Sequence, residues 1–235
     1  MTDTNIKLTP TTRRAIGIPK LHQRLTQAAN ATPDVSTMEH RIALMLDVSG
    51  SMGNRDGSAG AGRSRIESLI EAVIGFINQC DYSTTALALE TFGDDNPHKL
   101  PLTTFQPLLM TTVMTLCASD GTPMAGAMHF VLKTYPVTRC VLVSDGQPDS
   151  SAAALDAAGQ YAEAATPIDC VHIGTNVGGE DTMRHIAELT GGLFIKFRDV
   201  ASFANSFKYL TPGLRAALLG DGSEAARLLG ATEVK

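Results

Sequence analysis

Apolar residues follow two alternating rhythms along this 235-residue chain. A continuous apolar run of strand length stands at 41–46 and a buried-strand pattern at 139–144, as for strands covered on both faces, and 168–173 also predicts a strand. Residues 85–92, 99–105 and 193–197 predict three more strands. Helical spacing fills the intervals. Ser64 and Glu67 read as a capping box. Ile66, Leu69, Ile70, Val73, Ile74 and Ile77 then recur on one face, predicting a helix over 64–79 with all six buried. Replacing Ile70 by Ala is expected to cost roughly 2–5 kcal/mol on that reading. Met124, Met128, Val131, Leu132 and Tyr135 mark another helix, with Thr122 as its N-cap and Pro123 at its first position. Helices are also predicted over 151–165, 181–190 and 200–210, while 106–119 shows no firm period.

Strands alternating with helices predict an α/β fold: a doubly wound, mostly parallel six-stranded sheet with helices on both faces. The pattern divides the chain into a polar arm or linker at 1–38, a domain at 39–210, and a tail or docking segment at 211–235. Pro10, Pro19 and Pro33 punctuate the arm, which has room for a short helix at 21–29. Ligands of such sheets bind beyond the carboxyl ends of the strands. Three loops belong there, 47–53, 120–123 and 145–149, and all are rich in oxygen-bearing side chains.

The first loop carries Asp47-x-Ser49-x-Ser51 directly after the first buried strand, the second Thr122 and the third Asp145. Singly, these are ordinary turn and cap residues. Together they offer two carboxylates and three hydroxyls, hard oxygen ligands suited to Mg²⁺, Mn²⁺ or Ca²⁺ rather than to zinc or copper. Asp149 and Ser150 read as caps of the following helix, and Asp120 as a hydrogen-bonding neighbour of the site.

In these residues the chain resembles the von Willebrand factor A family, whose metal-ion-dependent adhesion site has the pattern DxSxS, then Thr, then Asp. The stretches DVSGSM, GTPM and VLVSDG carry the resemblance, which spans about residues 40–210. It implies a Rossmann-like α/β sheet and one divalent cation, Mg²⁺ first with Mn²⁺ or Ca²⁺ as alternatives, at Asp47, Ser49, Ser51, Thr122 and Asp145. It also implies a non-enzymatic binding module whose ion receives an Asp or Glu of a protein partner. The GTPM loop resembles intracellular bacterial members, some of which work with MoxR-type AAA+ ATPases. The expected partner is therefore such an ATPase or an assembly subunit. A metal-assisted hydrolase or phosphotransferase on the same sheet edge is one alternative. A structural subunit of a larger assembly, such as a phage or stress-response particle, is another.

Two look-alikes fit less well. The glycine-rich insertion at 54–63 nearly spells a P-loop, but Arg63 stands where lysine belongs and the preceding strand ends well upstream. A haloacid-dehalogenase phosphotransferase would need a second acid where Ser49 stands.

Composition narrows the classes further. The net charge of −5 and the lack of a basic stripe argue against a nucleic-acid partner. No apolar run approaches the roughly 18–20 residues of a membrane span, and the N-terminus shows no signal peptide. Cys80, Cys117, Cys140 and Cys170 form no CxxC pair, and the histidines show no metal-binding spacing. Free thiols and the missing signal predict a cytoplasmic protein with no membrane association.

Overall fold

The computed structural model describes residues 34–55, 62–93, 97–119, 121–173, 177–197, 203 and 207–212, and the backbone of 233–234. The expected helix at 21–29 and most of the arm lie outside the described residues. So do positions 56–61 of the glycine-rich insertion, Asp120, much of the 200–210 segment and nearly all of the tail.

Strand β1 (His40–Asp47) is the spine of the sheet, fully buried from Ile42 onward. Its side chains alternate between two cores. Ile42, Leu44 and Leu46 face helix α1 (Arg65–Gln79), while Ala43 and Met45 face the opposite layer. β2 (Thr85–Phe92) and β4 (Arg139–Ser144) flank β1 in parallel register. β5 (Ile168–Ile173) and β6 (Phe194–Phe197) extend the parallel sheet on one side. β3 (Lys99–Thr103) runs antiparallel beside β2 on the other, with Lys99 and Pro101 exposed. These six strands have the order β3-β2-β1-β4-β5-β6, the doubly wound arrangement expected from the pattern. A two-residue strand β7 (Glu233–Val234) adds a seventh member, antiparallel to β6.

Helix α1 and helix α2 (Gln106–Val113) cover one face. Phe203, Phe207 and Leu210 complete that core, with the Phe76 and Phe207 ring centres 5.4 Å apart. Residues Phe207–Leu210 form a 3₁₀ turn, not the end of an α-helix. Helices α3 (Met124–Thr134), α4 (Ser151–Glu163) and α5 (Val177–Thr190) cover the other face. Small side chains at Ala154, Ala157, Ala158 and Ala187 bring that layer close to the sheet. The buried Tyr161 hydroxyl donates to the Met128 carbonyl at 2.8 Å.

Local signals explain the boundaries. The Ser64–Glu67 capping box at the start of α1 is formed in both directions. The buried face of α1 differs from the expected one. Ile66, Leu69, Ala72, Val73, Phe76 and Ile77 are buried, but Ile70 and Ile74 are only half-buried and line an open groove with Arg55, Arg63 and Glu71. At 100° per residue those two isoleucines sit on the shoulder of the apolar stripe. Thr122 does not cap α3: Pro123 occupies the cap position, with no side-chain bond to the helix. α5 begins at Val177, ahead of the expected 181, because Gly178 and Gly179 in its first turn mask the helical pattern. Within 106–119, Pro107 sits in the first turn of α2.

Two buried acids lie away from the loops at the carboxyl ends of the strands. Asp169 accepts from Arg139 at 2.9 Å and from the Leu193 amide at 2.8 Å, and Arg139 also donates to the Leu210 carbonyl at 3.0 Å. This staple ties β4 and β5 to the lead-in of β6 and to the 3₁₀ turn. Glu90, in β2, has Lys99 Nζ 3.8 Å from one oxygen and no partner on the other. Burial pushes its carboxyl up to about 7, with Lys99 opposing.

Leu69→Ala should cost roughly 2–5 kcal/mol in a denaturant titration, and Ile70→Ala only about 1 kcal/mol; equal losses would contradict this packing of α1. Glu90 supplies a pH test. Its folded pKa lies above its unfolded value, so the folded state binds the extra proton and ionisation at higher pH costs stability. The melting temperature of Glu90→Gln relative to wild type should therefore rise as pH goes from about 5 to about 8. A flat difference would mean that Glu90 titrates as an exposed acid.

Candidate metal centre

β1 and β4 lie side by side, with Leu46 registered against Val143. The chain leaves β1 toward β2 on one side, whereas β4 continues the sheet on the other. This is the topological switch point, where a crevice opens beyond the strand ends. Asp47 is the last residue of β1, and Asp145 directly follows β4.

Asp47 is fully buried. One carboxylate oxygen accepts from the Ser49 amide at 2.8 Å, and the other from the Ser144 hydroxyl at 2.5 Å. Burial pushes its carboxyl up to about 6; the serine hydrogen bonds pull it back, and the nearby Asp145 charge adds to the rise. Ser49 starts a 3₁₀ turn, Gly50–Gly53, anchored by the buried Met52. The turn brings the Ser49 and Ser51 hydroxyl oxygens to 3.1 Å. Ser51 donates onward to Asp145 Oδ1 at 2.7 Å. Four of the five expected site residues thus form one hydrogen-bonded chain, Asp47–Ser49–Ser51–Asp145.

Thr122, the fifth, makes no bond to these four and is tied instead to Asp149 of the third loop. Its amide donates to Asp149 Oδ1 at 3.0 Å, and the Asp149 amide donates back to the Thr122 carbonyl at 3.1 Å. The reciprocal pair clamps the second loop onto the third. Asp149 is therefore a loop clasp and not the expected helix cap; Ser150 alone caps α4, accepting from the Ala153 amide. The Thr122 hydroxyl takes no part in the chain from Asp47 to Asp145. Asp120 lies outside the described residues.

Three further contributors escaped the sequence pattern. Ser144 hides at the end of an apolar strand, yet supplies the bond to Asp47. Arg65 opens α1 and donates to Asp145 Oδ2 at 2.5 Å, in an ion pair whose acid is fully buried. His172, near the end of β5, is buried with both ring nitrogens unpartnered. Burial lowers its pKa to about 4, so it is neutral at pH 7. Ser144 could have been flagged by its place directly before Asp145, whereas nothing in the sequence marks Arg65.

Glycines bring the loops close. Gly93, after β2, has φ of 104°, and a Cβ there would stand 2.5 Å from the Ser49 nitrogen. Gly179 lets α5 abut the third loop, since a Cβ there would stand 2.5 Å from the Gly146 carbonyl oxygen.

Among the described residues, no three His, Cys, Asp or Glu side chains gather as a metal cage. A cation at this crevice would therefore draw on hydroxyls beside the two carboxylates. That donor set fits a hard divalent ion, because each carboxylate has lone pairs beyond those used by its present donors.

The comparisons with known proteins bear on the same segment. Residues 42–147, from β1 through the third loop, match the family model of the von Willebrand factor type A domain. Over that segment the chain has the sequence pattern of a von Willebrand factor type A domain. Solved structures share the fold. An aerotolerance-related membrane protein from Bacteroides fragilis superposes with a TM-score of 0.58 at 15% identity, over 72% of this chain and 96% of that one. The SpRpn10 VWA domain gives 0.54 at 18% identity, over 65% and 82%. Manganese-loaded TRAP protein from Plasmodium vivax gives 0.50 at 20% identity, over 64% and 63%. At such identities the likeness is one of fold. No curated protein matches the sequence. Among the described residues, no helix is long and apolar enough to cross a membrane.

Gly93→Ala tests how closely the von Willebrand factor type A loops are fitted. A side chain at positive φ, pressed against the Ser49 backbone, should cost more than about 1 kcal/mol. Thermal melts should show the loss with the secondary structure retained by circular dichroism; an unchanged melting temperature would mean that the first loop has room to move.

Proposed function

We propose that this chain is a divalent-cation-dependent protein-binding module and not an enzyme. The observation that carries this reading is the hydrogen-bonded convergence of Asp47, Ser49, Ser51 and Asp145 at the switch point, with Thr122 clasped alongside. In this reading those five residues hold one ion, Mg²⁺ first and Mn²⁺ or Ca²⁺ as alternatives. The Plasmodium vivax protein, which shares the fold, is manganese-loaded, and this supports a divalent ion as the ligand class. When bound, the ion supplies an electrophilic centre that accepts a carboxylate. The two acids balance its charge, and the hydroxyls, being neutral, leave it able to attract a further anion. Ser144 and the Ser49 amide hold Asp47 in position, and the Asp149 clasp sets the distance between the second and third loops.

The preferred partner presents an Asp or Glu side chain; a MoxR-type AAA+ ATPase or an assembly subunit is the first candidate. Among the described residues His172, the imidazole on the strand neighbouring β4, makes no hydrogen bond to any hydroxyl. Among the described residues Cys80, Cys117, Cys140 and Cys170 are all free thiols, which supports a cytoplasmic setting.

The test is metal-dependent stabilisation of the full chain. A ligand that binds only the native state raises its melting temperature. Millimolar Mg²⁺ should raise it for wild type. Ser51→Ala should weaken the rise, consistent with a loss of about 10–100-fold in affinity, and Asp47→Asn should abolish it. A shift of wild-type size in both variants would refute the site. Capture of an acidic partner that persists in EDTA would refute the bridging role.

A further inference from the structure

Arg65 stands out once the site is seen as a place for a cation, because a cation of the chain's own is already there. Its guanidinium donates to Asp145 Oδ2 at 2.5 Å, while Ser51 occupies Oδ1. The arginine side chain is 18% exposed and the acid 0%, so the pair lies at the floor of the crevice and the arginine has a path to water. Arg65 is also the first residue of α1, whose amino-terminal end carries a partial positive charge. Both contributions act on the carboxylate that a divalent ion would need.

We propose that Arg65 is a resident counter-cation of the metal centre. It neutralises Asp145 while no ion is bound and competes with the divalent ion for that carboxylate. The inference rests on the cation-binding reading above and deepens it. Without Arg65, two buried carboxylates would face each other across the crevice, and their repulsion would oppose folding. With Arg65 in place the centre carries a net charge of about −1 instead of −2, so the attraction for a divalent ion is weaker. The domain folds without metal, and its ion affinity is set by the exchange of one positive group for another. A guanidinium displaced from Asp145 stays on the rim, where it can pair with the same acidic group that the ion receives.

The experiment is a Mn²⁺ titration of the full chain, followed by the paramagnetic signal of free Mn²⁺ and by melting temperature, for wild type, Arg65→Gln, Arg65→Lys and Asp47→Asn. Gln at this position leaves the Ser64–Glu67 capping box intact. Arg65→Gln should melt lower than wild type in EDTA, bind Mn²⁺ about tenfold more tightly, and regain the wild-type melting temperature when saturated. Arg65→Lys keeps the charge and should stay near wild type in affinity. An Arg65→Gln protein that folds only with Mn²⁺ supports the proposal equally. If wild type binds Mn²⁺ and Arg65→Gln binds it no better, the counter-cation role is overturned and the metal centre stands. If neither binds, or Asp47→Asn binds as well as wild type, the metal centre itself is overturned and this proposal with it. Tighter binding by Arg65→Gln where wild type shows none is the strongest supporting result.

Discussion

Asp47 and Asp145 stand at the ends of two adjoining strands with almost no access to water. Like charges so placed repel, and burial disfavours each of them separately. The crevice is organised to offset that strain. The Ser49 amide and the Ser144 hydroxyl engage Asp47, while the Ser51 hydroxyl and Arg65 engage Asp145. The tight 3₁₀ turn after β1, the positive-φ glycine after β2 and the clasp between Thr122 and Asp149 keep those donors in reach. These loops are thus shaped less by the path between elements than by the need to solvate two carboxylates with protein groups.

The opposite end of the sheet solves a related problem differently. Asp169 is as buried as Asp47, but its partner is a permanent one. Arg139 lies directly against it, and the Leu193 amide and Leu210 carbonyl complete the set. Breaking such a pair leaves a bare buried charge, so it works as a fixed rivet. The acids at the carboxyl end rely on serine hydroxyls and on a guanidinium with a path to water, groups able to reorient. One end is closed by a buried ion pair, and the other is the end to which the proposed cation exchange belongs.

The sheet was legible in the sequence because its strands are buried on both faces, and such strands write themselves as unbroken apolar runs. β1 and β4 fall where those runs stand, whereas β5 carries Asp169 and His172 within its apolar pattern. Both carboxylates were legible too, since each follows such a run. Less legible was anything set by three-dimensional neighbours. Helical spacing placed Ile70 and Ile74 on the buried stripe of α1, but the half-open groove beside Arg55 and Arg63 is a tertiary fact. Thr122 reads as a cap from its place before Pro123, yet its backbone pairs across the crevice with Asp149, which is 27 positions away. Arg65 and Ser144 carry no motif; only the approach of α1 and β4 to the same acid pair gives them a role.

The outer strand β3 has one further consequence. Pro101 cannot donate a backbone hydrogen bond, and the exposed Lys99 on the same strand holds its ammonium 3.8 Å from Glu90 and over the Phe130 ring at 3.7 Å. An edge so furnished resists a guest strand. Recognition by backbone pairing, available to many open sheets, is thereby discouraged on this side of the domain. On the binding reading proposed above, recognition falls instead to point chemistry at the strand ends, where selectivity would depend on the charge and reach of a single side chain from the partner, and one substitution in that partner would make or lose the contact.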